Sequence, residues 1–185
     1  MGANTSNAFF YLVSTLFDVY VWIILLRILL QAVRADFYNP ISQLVVQLTQ
    51  PVLRPLQGVV PKWGQVDIAA CLFAFAVVLI EVHVVSGILG YHVNTLSGLK
   101  FAVLKLVVLT LNFYTFSLFV QAILSWVGPG VNNPAGNILW IINEPLLKPV
   151  RRVIPPLAGL DLSPLLVILV LQFVNRLIPL PGVLR

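Results

Sequence analysis

The chain has 185 residues, of which 59% are hydrophobic and only 9% charged, with a mean hydropathy of +0.99. Soluble domains carry about 25% charged residues, so this balance argues against an ordinary soluble enzyme or binding module and for a chain embedded in lipid. The net charge is +5, yet only Lys100, Lys105, Arg151 and Arg152 lie near another base, which leaves no nucleic-acid stripe and suits topology charges instead.

Cys71 is the single cysteine. It permits neither an internal disulfide nor a cysteine-based metal cluster, and a packed thiol is the expected role. No basic residue precedes the first apolar run, so a cleavable signal peptide is not expected. Met1-Gly2 with Ser6 matches a myristoylation pattern and Asn4-Thr5-Ser6 a glycosylation acceptor. Both patterns are short, arise often by chance and need a eukaryotic host pathway.

The first apolar run, 8–33, holds only Asp18 and Arg27 as charges. At a rise of about 1.5 Å per residue it is long enough to cross a hydrocarbon core of about 30 Å with some tilt. Asn39-Pro40 follows; Asn caps a helix N-terminus, and Pro fits the first helical position because its missing N–H has no intrahelical partner there. Ile41, Leu44, Val45 and Leu48 then fall on one face, with Ser42, Gln43, Gln47 and Gln50 elsewhere. That pattern is an amphipathic helix too polar and too short to span. Pro51, Pro55 and Pro61 are expected to break it into two short pieces lying in the interface plane, 39–61 in all. Tyr38 and Trp63 suit the headgroup region at its ends.

A second span is expected over 68–91, with Glu81 near its middle. Small-residue pairs at Ala70/Ala74 and Ser86/Gly90 favour close helix approach. A polar turn, 92–100, leads to a third span, 101–127, which contains Lys105 and Asn112 and is closed by Gly128-Pro129-Gly130. The second amphipathic segment is 133–155, opened by Asn133-Pro134 and made basic in its latter half by Lys148, Arg151 and Arg152. Asp161 precedes a fourth span, 162–183, which carries Asn175 and Arg176 and is frayed by Pro179 and Pro181.

The two halves are copies of one unit. Asn39, Pro40, Pro51, Pro55, Pro61 and Asp67 recur as Asn133, Pro134, Pro145, Pro149, Pro155 and Asp161, each 94 positions on and with no gap. Such self-similarity is the mark of an internal duplication. The expected fold is an all-α membrane protein of four transmembrane helices in two tandem repeats, 1–98 and 99–185, each with an amphipathic, proline-rich interfacial segment between its spans. Two spans per repeat make the repeats parallel. Arg34, Arg54, Lys62, Lys148, Arg151 and Arg152 lie in the connections on one side, against Lys100, Lys105 and Arg185 on the other. The bias puts the amphipathic segments in the cytoplasm and both termini outside.

Charges inside a membrane are costly and face the bundle interior or a cavity. By depth, Asp18, Glu81, Asn112, Asn175 and Arg176 fall in one polar layer near the midplane, drawn from all four helices. One reading makes the layer a proton or cation site in which Glu81 or Asp18 titrates against Arg176; the plainer one makes it a structural clasp in which Arg176 pairs a carboxylate. Arg27 and Lys105 lie near helix ends and are expected to snorkel. The duplication does not copy the carboxylates: Asp18 maps to Asn112 and Glu81 to Asn175. His83 and His92 lack metal-ligand spacing, and no catalytic constellation or phosphate loop is legible. No enzyme, cofactor, metal or nucleic-acid partner is expected. The second amphipathic segment is the better lipid binder, since bases contribute about 1 kcal/mol each near an anionic surface. Arg54, Lys62, Lys148, Arg151 and Arg152 are the candidate contacts to anionic headgroups or to a partner.

The duplicated pattern resembles the YggT/YlmG family of bacterial and plastid membrane proteins. The residues that carry it in the first copy are Arg27, Asp36-Phe37-Tyr38-Asn39-Pro40, Gln50-Pro51, Pro55, Val59-Val60-Pro61 and Asp67. In the second they are Ser125-Trp126, Asn133-Pro134, Glu144-Pro145-Leu146-Leu147, Pro149, Arg151-Arg152-Val153-Ile154-Pro155 and Asp161. The first copy departs at Gln57-Gly58, where the second has Arg151-Arg152. The resemblance implies a multi-pass bacterial inner-membrane protein linked to osmotic or extracytoplasmic stress and ion homeostasis, or to cell division, plastid nucleoid organisation or cofactor assembly onto membrane cytochromes. Two functions follow as expectations. One is a non-enzymatic scaffold or assembly factor acting on a membrane-protein partner or as a homo-oligomer; the other is a small K⁺ or H⁺ pathway through the polar layer. A scaffold predicts that Glu81→Gln is mild and Arg151→Glu/Arg152→Glu damaging, and transport predicts the reverse.

Overall fold

The computed structural model describes residues 3–60, 63–127, 133–154 and 161–185. Pro61, Lys62, Pro155 and the Gly128-Pro129-Gly130 stop lie outside the described residues. The described chain is helical: α1 (Ala3–Ala32), α2 (Pro40–Gln57), α3 (Ile68–Ile88), α4 (Thr95–Val127), α5 (Pro134–Val153) and α6 (Ser163–Leu177), followed by a 3-10 turn at Gly182–Leu184. α1, α3 and α4 are long and apolar enough to cross a membrane, and the protein is a membrane protein. α6 has 15 residues, about 22 Å at the α-helical rise, and is shorter than the fourth span expected over 162–183.

α1 packs on α3, α3 on α4 and α4 on α6; α2 lies against α1 and α3, and α5 against α4 and α6. A core of Val21, Ile24, Val78, Val82, Ala102 and Val108 joins α1, α3 and α4. A second core seats Ile138 and Ile142 of α5 against Leu30, Val45 and Phe113.

The first amphipathic segment does not break at its internal prolines, contrary to the two-piece expectation, and neither does the second. α2 runs through Pro51 and Pro55, and α5 through Pro145 and Pro149. Each proline frees the carbonyl four residues earlier. In α2 those are Gln47 and Pro51, and both prolines and both freed positions are exposed, so solvent or headgroups can satisfy the carbonyls and the helix continues. Asn39 and Asn133 cap these helices as the sequence suggests, each Oδ1 accepting from the amide two residues on, at 2.9 Å from Ile41 and 3.0 Å from Ala135.

α4 begins at Thr95, inside the stretch expected as a polar turn. Asn94 starts it: its Oδ1 accepts from the Ser97 amide at 2.8 Å. Gly98 then lies beneath His83 of α3, where an added Cβ would come within 2.6 Å of the imidazole. The extra turns bring α4 tightly along α3. α3 closes on Gly90 at φ +76°, with the Tyr91 amide donating back to Ser86 O at 2.8 Å, the left-handed stop that glycine favours.

Candidate functional site

The expected polar layer is divided into two clusters. In the first, Lys105 Nζ of α4 pairs with Glu81 Oε1 of α3 and, at 3.1 Å, with Asp18 Oδ1 of α1. Lys105 and Glu81 are buried and Asp18 is about one-third exposed. Glu81 Oε2 has no hydrogen-bond partner among the described residues. In the second, Asn175 Nδ2 of α6 donates to Asn112 Oδ1 of α4 at 2.6 Å.

Arg176 is exposed and does not supply the counter-charge expected of it; Lys105 does, and it does not snorkel. The reason is where α4 starts. Counted from position 101, Lys105 stands at a helix end; counted from Thr95, it stands a third of the way along a 33-residue helix, level with both carboxylates. Asn94, a good N-cap residue, was the sequence signal that could have placed it there. Arg27 does not snorkel either. Its Nη1 donates to Thr49 Oγ1 at 2.7 Å and its Nη2 to Gln50 Oε1 at 2.6 Å, tying α1 to α2.

A polar column also runs through each amphipathic helix. In the first half it passes from Arg27 to Thr49 and Gln50, on to Gln57, and from the Gln57 amide to Asp67 Oδ2, whose Oδ1 caps α3. In the second half Asn143 Nδ2 donates to Gln121 Oε1 at 2.8 Å. Arg151 then donates to Glu144 Oε2 at 2.7 Å and Asp161 Oδ2 at 2.8 Å, and Asp161 Oδ1 accepts from the Ser163 amide at 2.9 Å. The positions correspond at the same offset of 94: 27 with 121, 49 with 143, 50 with 144, 57 with 151 and 67 with 161. One guanidinium serves each column, at the α1 end in the first half and at the α5 end in the second.

Arg151 is therefore held by two carboxylates, with about a quarter of its side chain exposed. Arg54, Lys148 and Arg152 are exposed. Partial burial pushes the Asp161 carboxyl up, but its hydrogen bonds to Ser163 and the nearby Arg151 outweigh that and leave it below the ordinary aspartate value. The described residues hold no group of three or more His, Cys, Asp and Glu side chains placed to bind a metal ion.

A model of the CCB3/YggT family matches residues 6–88 and again 101–181. The chain belongs to the CCB3/YggT family. An uncharacterized protein of Pseudomonas aeruginosa is 39% identical over 180 residues, covering 96% of this chain and 90% of the relative. The uncharacterized protein YggT of Escherichia coli K12 is 36% identical over 170 residues, 91% of this chain and 88% of the relative. YlmG homolog protein 2 of the Arabidopsis thaliana chloroplast is 40% identical over 75 residues, 38% of this chain and 28% of the relative. No solved structure matches. The two family segments correspond to the halves holding the ionic cluster's two carboxylates and the amide pair, respectively.

Proposed function

We propose that this family member is a non-enzymatic, multi-pass scaffold or assembly factor of the bacterial inner membrane, acting in osmotic or envelope stress tolerance. In this reading α1, α3, α4 and α6 span the bilayer, α2 and α5 lie on the cytoplasmic face, and both termini are periplasmic. The observation that carries it is how the ionic groups are used. Lys105, Arg27 and Arg151 all bond side chains on other segments or within their own column, the use expected of structural clasps. Of the exposed bases, Lys148 and Arg152 stand together near the end of α5. Beside the start of α5, exposed Trp140 lines a surface depression of about 260 Å³ together with Ala35, Asp36, Asn39, Ile138 and Ile141. The exposed bases suit anionic headgroups, and the exposed tryptophan beside the depression suits the interfacial region or the flank of a membrane-protein partner.

Growth of a host lacking its own copy, after an osmotic upshift, tests the reading. Lys148→Glu/Arg152→Glu is expected to abolish complementation and Glu81→Gln to preserve it; the opposite pattern overturns the scaffold reading.

A second reading rests on the charge count of the buried cluster. Two carboxylates face one ammonium, so the site carries an excess negative charge unless it holds a further proton or small cation. Proteoliposome flux of H⁺ and K⁺, measured separately for wild type and Glu81→Gln, tests it: flux lost in the variant supports a pathway, and no flux above empty liposomes removes it.

A further inference from the structure

The packing between the two halves of this chain uses two different faces, and each has an uncovered counterpart. Lys105, Phe113, Ile138 and Ile142 of the second half are 3%, 7%, 4% and 0% exposed against the first half. The residues 94 positions earlier are Tyr11, Val19, Leu44 and Leu48, and they are 69%, 50%, 56% and 48% exposed. The opposite face behaves the same way. Leu25, Val82 and Val85 of the first half are buried, whereas Phe119, Arg176 and Pro179 at the matching positions of the second half are exposed.

A contact between unlike faces of two like units is heterologous, and it leaves one face of each kind open at the ends. We propose that this membrane protein self-associates head to tail, the α1/α2 face of one copy seating on the α4/α6 face of the next as the second half seats on the first within the chain. The parallel duplication allows this between copies that share one orientation in the membrane.

A second observation points to the same occupant. Within the chain, Lys105 reaches across the contact to Asp18 and Glu81. The matching acceptors in the second half are Asn112 and Asn175, and the residue matching Lys105 is Tyr11. Asn175 is buried, and its Oδ1 has no hydrogen-bond partner among the described residues. A neighbour's Tyr11 hydroxyl, placed where Lys105 stands in the internal contact, donates to that oxygen. Asn39 gives a further pair: its Nδ2 donates to Pro134 O across the halves at 2.9 Å, and the matching bond runs from Asn133 of one copy to the exposed Pro40 carbonyl of the next. The association goes beyond the scaffold reading and does not depend on it, since it uses neither Lys148 nor Arg152.

The internal contact of Trp22 with Phe113, at a ring-centroid distance of 5.9 Å, selects the test. Its intermolecular equivalent joins Phe116 of one copy to Val19 of the next. In a Cys71→Ser background, Val19→Cys and Phe116→Cys are made in separately tagged full-length chains, co-produced, and treated in native membranes with a membrane-permeant bis-maleimide, whose reach spans two side chains that meet at their tips rather than at their Cβ atoms. The expected result is a mixed-tag crosslinked dimer in the V19C/F116C pair and none with either variant alone. The yield should exceed about five-fold that of a V19C/Ile80→Cys collision control, Ile80 being exposed at a similar depth on α3 and outside both faces, and Tyr11→Ala should reduce it while Tyr11→Phe falls between. Overturning results are a mixed yield equal to the collision control, which leaves the faces to lipid, or a dimer formed by one variant alone, which marks an isologous contact. Size-exclusion elution of each variant as the folded protein secures a negative result.

Discussion

The polar pair Asp18 and Glu81 in the first half and the pair Asn112 and Asn175 in the second occupy matching positions, yet they are completed in different ways. An amide carries both donor and acceptor, so the two asparagines bond each other directly at 2.6 Å. Two carboxylates have no donor between them when ionised and repel. They need a third group, and Lys105 of the other half supplies it. The substitution of acid for amide thus makes the first half dependent on the second, and the same helix pair becomes either a self-contained clasp or one side of an inter-half lock.

The largest break in this comparison comes from removing the lock's cation. Lys105→Met leaves the buried Glu81 and the partly exposed Asp18 uncompensated, and breaking a buried ion pair such as Lys105–Glu81 costs about 3–5 kcal/mol. A sharp fall in the thermal unfolding midpoint in detergent is expected. Adding Asp18→Asn and Glu81→Gln to the same chain rebuilds an amide pair like that of the second half, and most of the loss should return. If Lys105→Met alone unfolds at the wild-type temperature, the carboxylates are already neutral and the proton reading gains.

Arg151→Gln makes a smaller break. It gives the second column the glutamine of the first at position 57 but leaves Glu144 and Asp161 without their shared donor. Because all three side chains are about a quarter exposed, the loss should be about 1 kcal/mol, in the range of screened pairs. Glu144→Gln, which restores the first half's pattern of Gln50 and Gln57, should recover part of it in the same unfolding assay.

Asn112→Leu together with Asn175→Leu removes one interhelical hydrogen bond, worth about 0.6 kcal/mol inside membrane proteins. The unfolding midpoint should move less than in either ionic variant, and a shift as large as that of Lys105→Met would mean that the amide pair is no self-contained clasp.

The smallest effect is a pH dependence confined to the second column. Asp161 is held below its ordinary value of 3.8, so its ionised form stabilises the fold fully above that pH, and the contribution fades as pH falls through the lower folded value. Asp161→Asn should flatten the acid limb of a stability profile below about pH 4, where the wild type keeps falling.

Much of this molecule was legible before any coordinates. The apolar runs gave α1, α3 and most of α4, because a stretch that must satisfy its backbone in lipid has few alternatives to a helix. Asn39-Pro40 and Asn133-Pro134 marked helix starts because capping is a local bond between a side chain and an amide two residues away. The 94-residue offset paired Asp18 with Asn112 and Glu81 with Asn175 by arithmetic alone. The continuity of α2 and α5 through their prolines was not legible, since it depends on which face of the helix the freed carbonyls meet.

The tertiary structure alone decided which cation answers the carboxylates. Depth along a sequence places Arg176 and Asp18 at similar levels, but pairing also depends on the rotation of each helix about its axis and on where the helix begins. Starting α4 at Thr95 and pressing Gly98 under His83 turned Lys105 inward toward Glu81. The apolar runs, the two Asn-Pro helix starts and the duplication can be read from the residues because they follow from local bonding and hydropathy. Which side chains meet between helices was settled by the packing, because rotation and close approach are properties of the assembled bundle.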